Sequence, residues 1–240
     1  MKLLETLQEE KSSNLKGGIY HKTQIRLTYN TNRIEGSKLS EEQTRYIYET
    51  NTFFTEEGEN TANIDDIVET VNHFQCFDYM LKIAKEPLSE IHIKEFHKIL
   101  KFNTSDSKKE WFKVGAYKLK PNIVGGVETS KPKEVEKHIT KLLKNYNEKN
   151  NIEIFDIIDF HYEFEKIHPF QDGNGRVGRL IMFKECLKNN VVPYIIADEF
   201  KFFYYRGLSE YPKIKEYLTD TCLSAQDDYM ELMKYFEIEK

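Results

Sequence analysis

The stretch from Ile167 to Leu180, I-H-P-F-Q-D-G-N-G-R-V-G-R-L, crowds a histidine, an acid, an amide and two arginines together with three of the chain's eleven glycines. His168, with an ordinary pKa near 6.5, suits general-base work close to neutrality. Pro169 disfavours the right-handed helical conformation at His168, so a helix should end there and hand the chain to a loop. Beyond the loop, Arg176, Val177, Leu180, Ile181 and Phe183 return at helical spacing to about Lys188, which sets Gly173, Asn174 and Gly175 at a helix entrance. The first N–H groups of a helix lack backbone partners, and an entrance free of side chains lets an anion approach them. Arg176 and Arg179, three positions apart, project from one side of that turn. Asp172 adds a hard oxygen for Mg²⁺, an ion that completes its shell with water and phosphate. The set suits transfer of part of a nucleotide to a hydroxyl.

Other readings of these residues fit less well. Gly173-x-Gly175-x-x-Gly178 also matches the dinucleotide fingerprint, but that must follow a buried strand, and here an amphipathic helix precedes it. Glu165-x-x-His168 resembles half of a di-iron carboxylate site, yet no second E-x-x-H occurs. The G-x-x-x-x-G-K-[ST] phosphate loop is absent. A purely structural glycine turn leaves the crowded charges unexplained.

Helices must position this loop. Eleven glycines and six prolines in 240 residues are few, and the hydrophobic share of 39%, with 16 Phe and 15 Tyr, is ample for one core. From Ile64, the apolar residues Ile67, Val68, Val71, Phe74, Phe77, Leu81 and Ala84 spell a helix stopped at Pro87. Ser89 caps the next, with Ile93, Phe96, His97 and Leu100 on one face. Pro132 opens a helix that buries Val135, Ile139, Leu142, Leu143 and Tyr146. A further helix, from about Ile152 to Ile167, turns Ile154, Ile157, Ile158, His161 and Phe164 inward. Ser40-Glu41-Glu42-Gln43 reads as a capping box. Only Ile123-Val124-Gly125-Gly126-Val127 breaks the pattern, as a hairpin whose exposed edge is free to receive an extended peptide.

The net charge of −5, with no basic stripe, argues against a dedicated binder of duplex nucleic acid or anionic membrane. The opening residues carry acids where a signal peptide needs an apolar run, and the longest such run, Val191 to Ala197, is too short to span a bilayer. Cys76, Cys186 and Cys222 are odd in number and never in a C-x-x-C pair, which points to a reduced, cytoplasmic protein.

The residues from His168 to Arg179 match every defining position of H-x-F-x-[D/E]-G-N-G-R-x-x-R, so the chain resembles the Fic (Fido) family. The likeness in the order of helices and hairpin runs roughly from Ile64 to the end of the chain. That family consists mainly of protein adenylyltransferases (AMPylators) with an all-helical core and one β-hairpin flap. The resemblance implies an all-α, single-domain chain over 1–240. Within it, N-terminal helices (1–60) carry an inhibitory motif, and the core (61–240) holds the flap (about 114–130) and the active-site loop (168–179).

It also implies roles. His168 would deprotonate a Tyr, Thr or Ser hydroxyl of a target protein, which attacks the α-phosphorus of ATP and expels pyrophosphate. Phe170 would anchor the loop in the core and Asp172 would hold Mg²⁺. Gly173, Asn174, Gly175 and Arg176 would bind the phosphates, with Arg176 and Arg179 on the β and γ groups. Asn122, Ile123, Val124, Gly125, Gly126 and Val127 would form the flap that docks the target. Tyr204 or Tyr205 would lie near the adenine, unless either belongs to the core. Gly115-Ala116-Tyr117-Lys118 departs from the family's Gly-x-aromatic-Arg, and an ammonium cannot reproduce a bidentate guanidinium contact.

Thr31-Asn32-Arg33-Ile34-Glu35-Gly36 matches the family's inhibitory motif, [S/T]-x-x-x-E-[G/N], in which Glu35 would pair with Arg179 and take the guanidinium that the γ-phosphate needs. The expectation is a self-inhibited adenylyltransferase that uses ATP and Mg²⁺ on a target protein or on itself, with no nucleic-acid or membrane partner and with oligomeric state open. Transfer of phosphate, UMP or phosphocholine, removal of AMP, and a non-catalytic nucleotide- or partner-binding module are the alternatives.

Overall fold

A computed structural model describes residues 2–55 and 62–239. The boundary expected between residues 60 and 61 lies outside the described residues. The elements run α1 (Leu3–Ser12), α2 (Ile19–Ile34), α3 (Glu41–Thr50), α4 (Ile64–Lys82), α5 (Glu90–Leu100), a hairpin of β1 (Ile123–Val124) and β2 (Val127–Glu128), α6 (Val135–Asn147), α7 (Ile154–Ile167), α8 (Asn174–Lys188), α9 (Lys201–Glu210) and α10 (Glu216–Tyr235). The fold is therefore helical with one small antiparallel hairpin, in line with the expected all-α class.

Local chemistry sets the helix ends. The Ser40 hydroxyl accepts from Gln43 N while the Gln43 side chain accepts from Ser40 N, a complete capping box. Ser89 accepts from His92 N at 3.4 Å to open α5, and Pro132 opens a short 3₁₀ turn ahead of α6. Two boundaries differ from the sequence reading. Helix α4 stops at Lys82, before Pro87 is reached, and α7 begins at Ile154, capped by Glu153 and Asp156, so Ile152 lies outside it. Phe160 is an additional inward residue of α7.

Helix α8 is the centre of the molecule, buried on every side from Asn174 to Leu187. Helices α2, α4, α5 and α7 all pack against it. The main core gathers Phe77, Phe96, Phe164, Phe170, Leu180 and Phe183, and Leu3, Leu7, Ile19 and Leu27 of α1 and α2 join the same cluster. At about 2–3 kcal/mol for each buried large apolar side chain, this layer dominates the stability of the fold. A second cluster around Ile158, Met182, Tyr204 and Leu218 ties α7 and α8 to α9 and α10. Cys76, Cys186 and Cys222 are buried and free. Among the described residues, no helix is long and apolar enough to cross a membrane.

Candidate active site

The backbone between α7 and α8 makes the site. Helix α7 ends at Ile167, and His168 adopts a left-handed conformation (φ 52°) with its N–H on Phe164 O at 2.9 Å. The helix thus ends where Pro169 requires, since proline bars the right-handed helix at His168 but leaves the left-handed well usable at modest cost. Phe170 then drops into the core, its ring flat on the buried His97 ring at 4.0 Å. The buried Asn174 side chain closes the loop by accepting from Phe170 N at 2.8 Å and donating to Phe170 O at 2.9 Å. The Asn174 carboxamide thus holds the loop, and its main-chain N–H lies at the helix entrance. Gly173 turns with φ 83°, where an added Cβ would also press on Leu100 at 3.3 Å. The first helical bond of α8 runs from Val177 N to Gly173 O, so the N–H groups of Asn174, Gly175 and Arg176 lack helical partners.

Both arginines are buried and occupied. Arg176 donates to Glu69 of α4 and, at 3.1 Å, to Asp172 Oδ2. Lys101, at the end of α5, donates to Glu69 Oε1 at 2.5 Å and to Asp172 Oδ2 at 2.6 Å, with Asp106 Oδ2 at 3.4 Å. Burial alone would raise the Asp172 carboxyl, but Arg176 and Lys101 hold it well below the usual carboxylate range. Arg179 donates to Glu35 Oε1 at 2.5 Å, to Thr31 O at 3.1 Å and to the Tyr204 hydroxyl at 3.3 Å. Burial works against the guanidinium charge, and Glu35 more than restores it, so Arg179 stays a cation. Glu35 stands at the end of α2, and Gly36 turns the chain away with φ 103°. A Cβ at Gly175 would collide with the Glu35 carboxylate, which therefore fills the space that glycine leaves at the α8 entrance.

His168 Nδ1 lies 3.3 Å from Glu165 O and 3.9 Å from Glu165 Oε2. Burial, then the Lys118 ammonium, lowers its imidazole to about 4, so His168 is an unprotonated base at neutral pH. Burial pushes the Glu165 carboxyl the other way, up to about 8. Tyr204 follows the core alternative left open for it. Only 1% exposed, it bonds His161 Nε2 at 2.7 Å and Arg179, and so it is a core residue with no face for a base. Tyr205, 41% exposed, donates to Ile34 O at 3.1 Å beside the end of α2, with the Lys201 ammonium 5.9 Å from its ring centre.

The hairpin pairs Ile123 with Glu128 and Val124 with Val127, turning through Gly125 (φ 57°) and Gly126 (φ 81°). Ile123, Val124 and Val127 are exposed. Asn122 instead faces inward as an anchor, donating to Phe170 O at 3.2 Å. Glu69 and Lys101 are the site residues that sequence reasoning missed. No motif marks them, because α4 and α5 announce only their apolar faces.

Among the described residues, no three His, Cys, Asp or Glu side chains converge as a metal cage. Asp172 is one ionised carboxylate, 47% exposed at its side chain. That donor fits a Mg²⁺ ion delivered on the phosphates of a nucleotide substrate, with Asp172 supplying a single protein oxygen.

Residues 87–186 match the model of the Fic/DOC family. It is 25% identical over 186 residues to the protein adenylyltransferase Fic of Nematostella vectensis, covering 76% of this chain and 42% of that protein. It is likewise 25% identical over 187 residues to the protein adenylyltransferase fic-1 of Caenorhabditis elegans, covering 75% of this chain and 35% of that protein. The chain thus spans less than half the length of these curated relatives. In fold it is similar to a Fic domain containing signaling protein from Bacteroides thetaiotaomicron, with TM-score 0.74 and 21% identity over 96% of this chain and 94% of that one.

Proposed function

We propose that this chain is a protein adenylyltransferase held in check by its own Glu35. The observation that carries the reading is the Glu35 carboxylate paired with Arg179 against Gly175, at a helix entrance bordered by an unprotonated His168. A carboxylate there stands in for the terminal phosphate of Mg–ATP, as it offers charge of the same sign to the same guanidinium.

In the transfer, His168 Nδ1 rests against the Glu165 carbonyl, which leaves Nε2 to face the target hydroxyl. Nε2 takes the hydroxyl proton, the oxygen bonds to the α-phosphorus, and the bond from that phosphorus to the β-phosphate oxygen breaks. Arg176, Arg179 and the free N–H groups of α8 receive the charge of the departing pyrophosphate. Asp172 would hold the Mg²⁺ that accompanies ATP. None of this proceeds while Arg179 is on Glu35, because the γ-phosphate then meets a like charge. The target segment adds a strand to the exposed hairpin edge and brings its Tyr, Thr or Ser to His168. The three free buried cysteines accord with a reducing compartment such as the cytoplasm.

The chemistry is tested by incubating the Glu35→Gly protein with Mg–ATP and a cell lysate, then weighing the modified peptides. An added AMP on a hydroxyl residue of a lysate protein or of the chain itself is expected. Addition of phosphate, UMP or phosphocholine would keep the fold and change the reaction, and a lack of any product would leave a nucleotide- or partner-binding module.

A further inference from the structure

The departure at Lys118 has a structural counterpart. The residue is 3% exposed and its ammonium pairs with no carboxylate among the described residues. The ammonium donates to Asn122 Oδ1 at 2.7 Å, Thr129 Oγ1 at 2.6 Å and Ile167 O at 3.4 Å. Asn122 and Thr129 bracket the hairpin, and Ile167 is the residue just before His168. The Lys118 main-chain N–H donates to Pro169 O, the residue just after it, at 2.9 Å. One residue therefore grips both ends of the hairpin and both sides of His168. A buried ammonium satisfied only by neutral oxygens is expensive, and burial lowers it to about 8. A merely structural clip would be served by an uncharged donor.

We propose that Lys118 is a positioning residue that holds the hairpin and His168 in one register, so that a strand laid on the hairpin presents its hydroxyl to the imidazole. This rests on the adenylyltransferase reading. The charge adds a second effect. Lys118 faces His168 from the hairpin side, against Glu165, Glu35 and Asp172 from the others, and opposes formation of the imidazolium.

The test uses Lys118→Met and Lys118→Arg in the Glu35→Gly background. Label transfer from α-labelled ATP should fall about tenfold or more in the Met variant, while affinity for Mg–AMPPNP stays within about threefold. The Arg variant, which keeps charge and donors, should recover transfer to within about threefold of the parent. Thr129→Val removes one acceptor at the partly exposed rim and should act in the same direction if Lys118→Met does not fold. A folded Met variant that transfers as well as its parent, or that loses nucleotide affinity in proportion, overturns the proposal. A readout free of turnover is the NMR titration of the His168 imidazole with Glu35 intact. Its midpoint should rise in Lys118→Met and stay put in Lys118→Arg, and an unmoved midpoint in the Met variant contradicts the assignment. If Glu35→Gly transfers nothing, the adenylyltransferase reading fails, and the titration still judges Lys118.

Discussion

At the scale of single residues, the site is built from groups whose surroundings oppose their ordinary ionisation. His168 is lowered to about 4 by burial and Lys118. Transfer by the Glu35→Gly protein should therefore show no acid limb between about pH 5 and about pH 8. A limb near the ordinary imidazole value would mean a solvated base. His73, His97 and His161 are each lowered to about 3, first by burial. The unfolded chain binds protons at these four positions below 6.5 and the folded chain does not, so stability is lost as pH falls from about 6.5 towards 4. Thermal melting should follow that course. Glu165 has the opposite sign: its proton is retained by the folded chain and shed by the unfolded one above the ordinary value of 4.5, so its contribution is lost as pH rises through about 8. Glu165→Gln should accordingly raise the melting temperature at alkaline pH and leave it nearly unchanged near pH 4; equal effects at both would contradict the burial of that carboxyl. At this scale the twelve residues from His168 were legible because one loop carries them. Glu69 and Lys101 were not, since charges on separate helices meet only after folding, and Tyr204 and Tyr205 differ in burial for a reason their adjacent positions could not reveal.

At the scale of elements, two helix ends meet. The last turn of α2 delivers Glu35 to the first turn of α8, and Gly36 (φ 103°) is the hinge that ends α2 there. An alanine at position 36 would strain that turn by about 1–2 kcal/mol without touching the carboxylate. Gly36→Ala should thus relieve inhibition in part, giving label transfer between that of the wild type and that of Glu35→Gly, and a rate no higher than wild type would deny the turn a role. Helix α9 is fixed differently. A Cβ on Gly207 would lie 2.7 Å from Leu218 Cα, an obstacle of backbone that cannot swing aside. Gly207→Ala should destabilise the protein by about 1–3 kcal/mol, as chemical denaturation would measure. Caps, prolines and the Gly-Gly turn made most of these elements readable in advance. The all-round burial of α8 was not, because a helix that carries Arg176, Arg179, Lys184 and Glu185 reads as half-solvated until its neighbours are seen.

At the scale of the whole molecule, the N-terminal helices share the main core with α4, α7 and α8, so the Glu35 carboxylate is held by packing as well as by charge. A ligand that binds only once Glu35 has left should stabilise the two forms unequally. Mg–AMPPNP should raise the melting temperature of Glu35→Gly by more than that of the wild type, and equal shifts would mean that Glu35 does not contest the phosphates. Whether Glu35 restrains a His168-dependent transfer is decided by counting label transferred from α-labelled ATP with Mg²⁺ by three proteins side by side. About tenfold or more label is expected with Glu35→Gly than with wild type, and none when His168→Ala is combined with it. Equal labelling by wild type and Glu35→Gly, or labelling that survives His168→Ala, would contradict it.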